Sequence, residues 1–161
     1  MKISQELYKI KEDFKGLFYY PAVDLAADPC VNYDKYWETR GRAAGPVLSD
    51  WQKKRADIVL KAMEKNSSVL DLGCGRGAFL KYLKDQAGID GVGVDSNENI
   101  LEQAKSMGVA TIKMDITDLE GIKSLSEYDY ITGFEILEHL PCPEALLGCL
   151  KGKARRAMFF S

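Results

Sequence analysis

The sequence predicts an α/β fold in three layers, with helices on both faces of a mainly parallel sheet. Three observations lead there. From Ser67 onward, short apolar runs alternate with stretches of helical periodicity. Helix start and stop signals (Gly88, Asn97, Gly108) separate the runs. The intervening segments are long enough for helical crossovers, which places successive strands parallel with right-handed connections. A chain of 161 residues holds one domain with a sizeable core rather than two ordinary ones.

Residues 1–66 read as a helical, lid-like segment packing on a core formed by residues 67–161. Leu7, Ile10, Phe14 and Leu17 recur at helical spacing. Pro21, Asp28-Pro29 and Asn32 mark a loop, and the cluster Tyr33, Tyr36, Trp37, Arg40 and Arg42 follows before Gly45-Pro46. Ser49 is an N-cap for a helix expected to bury Trp51, Ile58, Val59 and Met63 and to end near Asn66.

The core then unfolds in order. Strands are expected at 68–72, 91–95, 110–115, 128–134 and, beginning at Ala157, a fifth. Between them, Phe79, Leu80 and Leu83 mark a helix that Gly88 stops. Asn97 caps a second helix, with Ile100, Leu101, Ala104 and Met107, which Gly108 ends. Residues 144–150 form a third.

Bulk composition excludes several classes. With 46% hydrophobic and 29% charged residues the chain is ordinary globular material. Its formal net charge of −2 gives no global field toward nucleic acid or an anionic membrane. Lys151, Lys153, Arg155 and Arg156 form one local basic patch, read as a solvated turn before a strand. Four cysteines without CxxC spacing argue against a metal site. Lys2, Glu6, Lys9, Lys11, Glu12 and Asp13 interrupt any signal-like apolar run, and no stretch approaches a membrane span. A cytoplasmic protein with reduced thiols is expected.

The informative segment is Val69-Leu-Asp71-Leu-Gly73-Cys74-Gly75-Arg-Gly77-Ala-Phe. Glycines at a strand-to-helix turn let the backbone approach a ligand and free the first amides of the next helix. Gly73-x-Gly75-x-x-Ala78, with Asp95 about 20 residues on, satisfies the dinucleotide fingerprint, so an NAD-linked oxidoreductase remains an alternative. Asp71, two residues before Gly73, tips the balance. A carboxylate beside a dianionic pyrophosphate repels it, whereas the cationic sulfonium of S-adenosylmethionine is favoured.

Asp71-x-Gly73-x-Gly75-x-Gly77 resembles the first motif of class I, Rossmann-like S-adenosylmethionine-dependent methyltransferases, and Gly91-Val-Gly-Val-Asp95-Ser96-Asn97 resembles the second. Asp115-Ile116 stands where the family contacts adenine. The stretch Tyr128–Pro141, containing Phe134-Glu135-Ile-Leu-Glu138-His139-Leu, resembles the motif after the fourth strand. The resemblance covers residues 67–161 and, within the family, is closest to small MetW-like members. It implies strand order 3-2-1-4-5, S-adenosyl-L-methionine as cofactor with S-adenosyl-L-homocysteine as product, and a small-molecule methyl acceptor. It places Asp71, Gly73, Cys74, Gly75, Gly77, Asp95, Ser96, Asp115, Ile116 and Phe134 at the cofactor.

Each role has a plainer reading beside it. Asp95 accepts from a ribose diol, or caps the Asn97 helix. Asp115 meets the adenine amino group, or only forms a turn. Glu135 stands near the sulfonium or the ammonium, or is a solvated carboxylate at a helix start. His139, the one histidine, takes a proton from the acceptor, or packs before Pro141. Arg40 pairs with the methionine carboxylate while Tyr36 and its aromatic neighbours face the sulfonium, or this segment only packs on the core.

Transfer itself is an in-line displacement at an activated carbon, for which binding, alignment and desolvation are the main requirements. Relative to the seven-stranded family sheet, the sequence is expected to lack the last two strands, leaving an apolar fifth strand near an edge. The N-terminal segment, a second copy or a partner subunit is expected to cover it. A catalytically silent subunit that binds the cofactor and works with a partner is therefore the other reading.

Overall fold

The computed structural model describes residues 47–161. The helix expected around Leu7 to Leu17, the aromatic and basic cluster from Tyr33 to Arg42, and the roles given to Tyr36 and Arg40 lie outside the described residues.

The first helix, α1 (Asp50–Ala62), starts at a reciprocal cap: Gln52 N–H donates to Ser49 Oγ at 3.4 Å and Ser49 N–H donates to Gln52 Oε1 at 3.0 Å. Ala56 and Val59 are its buried residues, with Leu60 and Met63 packed beside them. Trp51 and Ile58 are 59% and 69% exposed, so the expected burial of both is corrected. The docked stripe runs through Ala56, Val59 and Met63. Small Ala56 lets the helix axis approach the sheet, and the stripe of Trp51 and Ile58, seven residues apart, lies to one side.

Strand β1 (Val69–Leu72) is buried at every position, as a central parallel strand must be. It leads into α2 (Ala78–Ala87), which buries Phe79, Leu80 and Leu83 and stops at Gly88 in the left-handed conformation. Strand β2 (Gly91–Asp95) follows, and α3 (Glu98–Ser106) is capped by Asn97, whose Oδ1 accepts from Ile100 N–H at 3.1 Å. After β3 (Ala110–Lys113) comes α4 (Leu119–Ser124), a helix not anticipated from the sequence. At six residues it is too short to display a periodic stripe, and the Asp118 cap, which accepts from Gly121 N–H at 3.0 Å, marks its start. Strand β4 (Tyr128–Gly133), a 3₁₀ turn (Leu137–His139), α5 (Pro143–Leu150) and β5 (Ala154–Phe160) complete the order.

All four ladders are parallel and the sheet runs β3-β2-β1-β4-β5, the Rossmann-like α/β order expected. Strand alternation sorts the core onto two faces. Val69, Tyr130, Phe79, Leu83 and Val59 pack on the side of α1 and α2, while Leu70, Leu72, Ile131, Ile122 and Leu146 pack on the side of α4 and α5.

The basic patch differs from expectation. Arg155 and Arg156 sit within β5, which begins three residues earlier than read, not in a turn before it. Arg155 Nε lies 3.4 Å from Glu127 Oε2 and its Nη1 lies 3.7 Å from Asp129 Oδ1; Arg156 pairs with Glu64. A register shift opposite Tyr128 and Tyr130 leaves both arginines exposed, and these acids from flanking elements hold them in extended backbone. Among the described residues no helix is long and apolar enough to cross a membrane.

Truncating fully buried Leu83 to Ala should cost about 2–5 kcal/mol in urea unfolding. Ile58→Ala should change stability by no more than about 0.5 kcal/mol, because its side chain is already open to water.

Candidate functional site

The strand order reverses between β1 and β4, and in open α/β sheets the crevice outside the carboxyl ends at such a point is where ligands bind. The glycine turn stands there. Gly73, Gly75 and Gly77 have φ of +67°, +52° and +75°, left-handed backbone that disfavours other residues. A Cβ on Gly73 would stand 2.5 Å from Ile136 Cγ2, so that glycine also allows close packing. A Cβ on Gly75 would meet nothing within 4 Å, so the middle of the turn faces open space.

Asp95, the last residue of β2, fixes this turn. Its Oδ2 accepts from Gly75 N–H at 3.0 Å and its Oδ1 accepts from Asn97 N–H at 3.0 Å. Burial raises its pKa above the usual carboxylate value, against the lowering effect of these backbone bonds. Cys74 anchors the turn from below. Its N–H donates to Val94 O at 3.0 Å, and its sulfur fills the space a side chain at Gly93 would need. Desolvation, with the charges of Asp71 and Asp95 added, pushes the Cys74 thiol far up, so it is a packing group rather than a nucleophile.

Asp71 is 3% exposed and lies beneath the turn rather than on its open side. It pairs across the sheet with Thr132, whose Oγ1 donates to Asp71 Oδ1 at 2.6 Å. Strand alternation sends both side chains to the face covered by α1, where the guanidinium of Arg55 supplies an opposing charge. Burial raises the Asp71 pKa to about 7, with the Thr132 bond and Arg55 pulling it down and Asp95 pushing it up. Its influence on a ligand at the turn is exerted through its field, and that field weakens as the carboxyl takes up a proton.

The far side of the crevice is built by the residues after β4. Phe134 meets Phe79 edge-on at 5.0 Å. Glu135 adopts φ +57°, rare for a residue with a side chain; its N–H donates to Ser161 O at 2.7 Å. Arg55 Nη1 donates to Glu135 Oε1 at 2.9 Å and to Ser161 Oγ at 3.0 Å. The guanidinium carbon sits 4.3 Å from the Phe134 ring centroid and 4.4 Å from that of Trp51.

Asp71, Gly73, Cys74, Gly75, Gly77 and Asp95 are thus brought together at one turn, with Phe134 and Glu135 across the crevice. Ser96 is exposed just beyond β2. Asp115 is exposed and accepts from Thr117 N–H at 2.8 Å and from Thr117 Oγ1 at 2.7 Å, while Ile116 packs against the second core. His139 is exposed on the 3₁₀ turn. Among the described residues no cluster of metal-binding side chains exists. Sequence reasoning missed Arg55 and Thr132. Thr132 was accessible in principle, because a central parallel strand places a polar residue opposite Asp71 only to bond it. Arg55 carried no signal beyond being one of several charges on a polar helix.

The family described as "Methyltransferase domain" matches residues 36–156. The chain belongs to this family. Among curated proteins, the methyltransferase domain is 29% identical over 110 residues to a ubiquinone biosynthesis O-methyltransferase of Bordetella avium, covering 65% of this chain and 43% of that protein. The chain therefore spans less than half the length of the curated relatives it matches first. Among solved structures, a SAM-dependent methyltransferase from Archaeoglobus fulgidus is 28% identical at TM-score 0.59, covering 76% of this chain and 53% of that one. The magnesium protoporphyrin IX methyltransferase of Synechocystis PCC 6803, solved with bound SAM, shares the fold at 21% identity and TM-score 0.59, covering 81% of this chain and 69% of that one.

The methyltransferase domain should show a pH signature from Asp71. Unfolded, this carboxyl ionises near 3.8; folded, it keeps its proton to about pH 7. The folded state therefore binds the extra proton between these values, so this group's contribution falls as pH rises, by up to ~1.4 kcal/mol per pH unit. Asp71→Asn should flatten that slope: its stability relative to the parent, measured by urea unfolding, should increase from pH 4 to pH 7 and then level off.

Proposed function

We propose that this chain binds S-adenosylmethionine across the carboxyl ends of β1, β2 and β4 and moves a methyl group to a small-molecule acceptor, releasing S-adenosylhomocysteine. One observation carries the reading. The turn amide of Gly75 is fixed by the Asp95 carboxylate beside open space, at the point of strand reversal, in a chain of the methyltransferase family. Bound there, the cofactor supplies a methyl group already activated by a cationic sulfur.

The chain's own residues supply positioning and charge. Asp95 accepts one bond from Gly75 and one from Asn97; a carboxylate has about four acceptor sites, so capacity remains for a ribose diol. The left-handed turn keeps Cβ atoms away from the ligand path. Phe134 offers an aromatic edge to the methionine portion. In this reading the carboxylate of Glu135, held by Arg55, meets its ammonium group or accepts a proton from the acceptor, and His139 is the second candidate for that proton. Such a reaction relies on alignment and exclusion of water, an in-line displacement needing little acid–base assistance.

Similarity to ubiquinone biosynthesis O-methyltransferases supports an oxygen acceptor. A small molecule is favoured over nucleic acid because the net charge is −2 and Arg155 and Arg156 are already engaged by Glu64, Glu127 and Asp129. The free thiols of Cys74, Cys142 and Cys149 suit a reducing, cytoplasmic setting.

Calorimetric titration with S-adenosylhomocysteine and with NAD tests the assignment. The first should bind and the second should not; preferential binding of NAD would overturn it. Asp95→Ala should weaken S-adenosylhomocysteine at least tenfold with the fold intact by circular dichroism, corresponding to ~1.4 kcal/mol or more.

A further inference from the structure

Phe134, Glu135 and Ile136 follow β4 opposite the glycine turn, and the backbone is fixed on both sides of Glu135. Phe134 sits edge-on against Phe79, and Ile136, 7% exposed, occupies space that Cβ atoms on Gly73 and Gly133 would need. Between them Glu135 takes φ +57°, which persists in a residue with a side chain only where its surroundings impose it. Its N–H is tied to Ser161 O at 2.7 Å. The backbone of Glu135 is therefore held without help from its own side chain.

The side chain is held separately. Among the described residues its carboxylate bonds one side chain, Arg55, at 2.9 Å. Arg55 arrives from α1, 80 positions earlier in the chain. Its guanidinium lies between the Trp51 and Phe134 rings, and its Nη1 also donates to Ser161 Oγ at 3.0 Å. The group borders an open cleft of about 530 Å³ lined by Trp51, Ile58 and Phe160, so rings and bonds set its orientation rather than packing on every side. The Glu135 side chain is 53% exposed, and an ion pair to so open a carboxylate adds little to stability. What the pair supplies is direction. A side chain with several rotatable bonds gives up its freedom beside the crevice before any ligand arrives.

We infer that Arg55 is a positioning residue for the cofactor's amino-acid end: it pre-orients the Glu135 carboxylate, which receives the ammonium group of the methionine portion. The inference rests on the reading of the crevice as the S-adenosylmethionine site and names the residue that sets one of its contacts. Arg55 acts through Glu135, and the sign of its effect separates this role from that of its charge. Removing a cation strengthens the pull on an ammonium, so loss of its field alone does not weaken that contact. Loss of orientation does. Asp71, Asp95 and any carboxylate at Ser161 are common to parent and variants and leave the comparison unchanged.

Two probes that share the adenosine and the sulfur provide the test. S-adenosylhomocysteine carries the amino-acid end and methylthioadenosine lacks it; both are titrated into the full chain by calorimetry. Arg55→Gln should weaken S-adenosylhomocysteine by about fivefold or more, within the range of couplings between paired side chains, and leave methylthioadenosine unchanged. Arg55→Lys keeps the charge but not the flat group between the rings, and should fall between the parent and Arg55→Gln. If Arg55→Gln fails to fold, Arg55→Lys carries the same comparison. In a Glu135→Ala background, Arg55→Gln should cost nothing further, because the carboxylate it orients is gone. Equal weakening of both probes shows a merely structural role and overturns the inference, as does unchanged affinity for S-adenosylhomocysteine. Full additivity with Glu135→Ala overturns it too, because Arg55 would then meet the cofactor's own carboxylate. If neither probe binds the parent, the cofactor reading falls and takes the positioning role with it. If both bind the parent but the variants depart from this pattern, the positioning role alone falls.

Discussion

The bond from the Gly75 amide to the Asp95 carboxylate is the constraint on which the rest of the site depends. It joins the turn after β1 to the end of β2, so the ligand-facing backbone is tied to the sheet and not left to the loop's own preferences. The bond is tolerable only because the turn is glycine at its left-handed positions, and the turn can descend onto the sheet only because Gly93 leaves room for Cys74. Asp95 is thereby held in one orientation by two backbone donors before any ligand arrives. Pre-organisation of this kind reduces the ordering cost of binding.

A second tie runs from α1 to the sheet. Arg55 reaches over the carboxyl ends of the strands, bonds Glu135 and Ser161, and lies between the rings of Trp51 and Phe134. Its charge opposes two carboxylates at once, the exposed Glu135 and the buried Asp71. Glu135 stays in contact with water, while burial of Asp71 outweighs both the Thr132 bond and Arg55, and its carboxyl takes up a proton near neutrality. Near neutrality Asp71 therefore does not carry the full negative charge expected beside the turn.

Much of this arrangement was readable from the chain. Gly88, Asn97 and Gly108 bound their helices as expected because caps are local, decided within four residues of backbone. Gly91–Asp95 was bounded correctly because an apolar run between turn residues admits one reading. Where two faces of one helix are both apolar, the pattern misleads: Trp51 and Ile58 have the spacing of a core stripe, yet Ala56 and Val59 form it. Two consecutive arginines likewise read as a turn, because nothing local reveals that Glu64, Glu127 and Asp129 converge on them.

By itself, then, the sequence determined the alternation of strands and helices, the glycine turn between the first core strand and its helix, and the acids within β1 and at the end of β2. Each of these depends on backbone sterics or on spacing along the chain. The tertiary structure alone decided that Asp71 is covered and bonded to Thr132, that Arg55 joins the site, and that Trp51 and Ile58 open onto a cleft. These outcomes depend on which face of α1 docks and on the register between β1 and β4. Both are set by packing between residues more than 60 positions apart, whose proximity leaves no periodic trace in the chain.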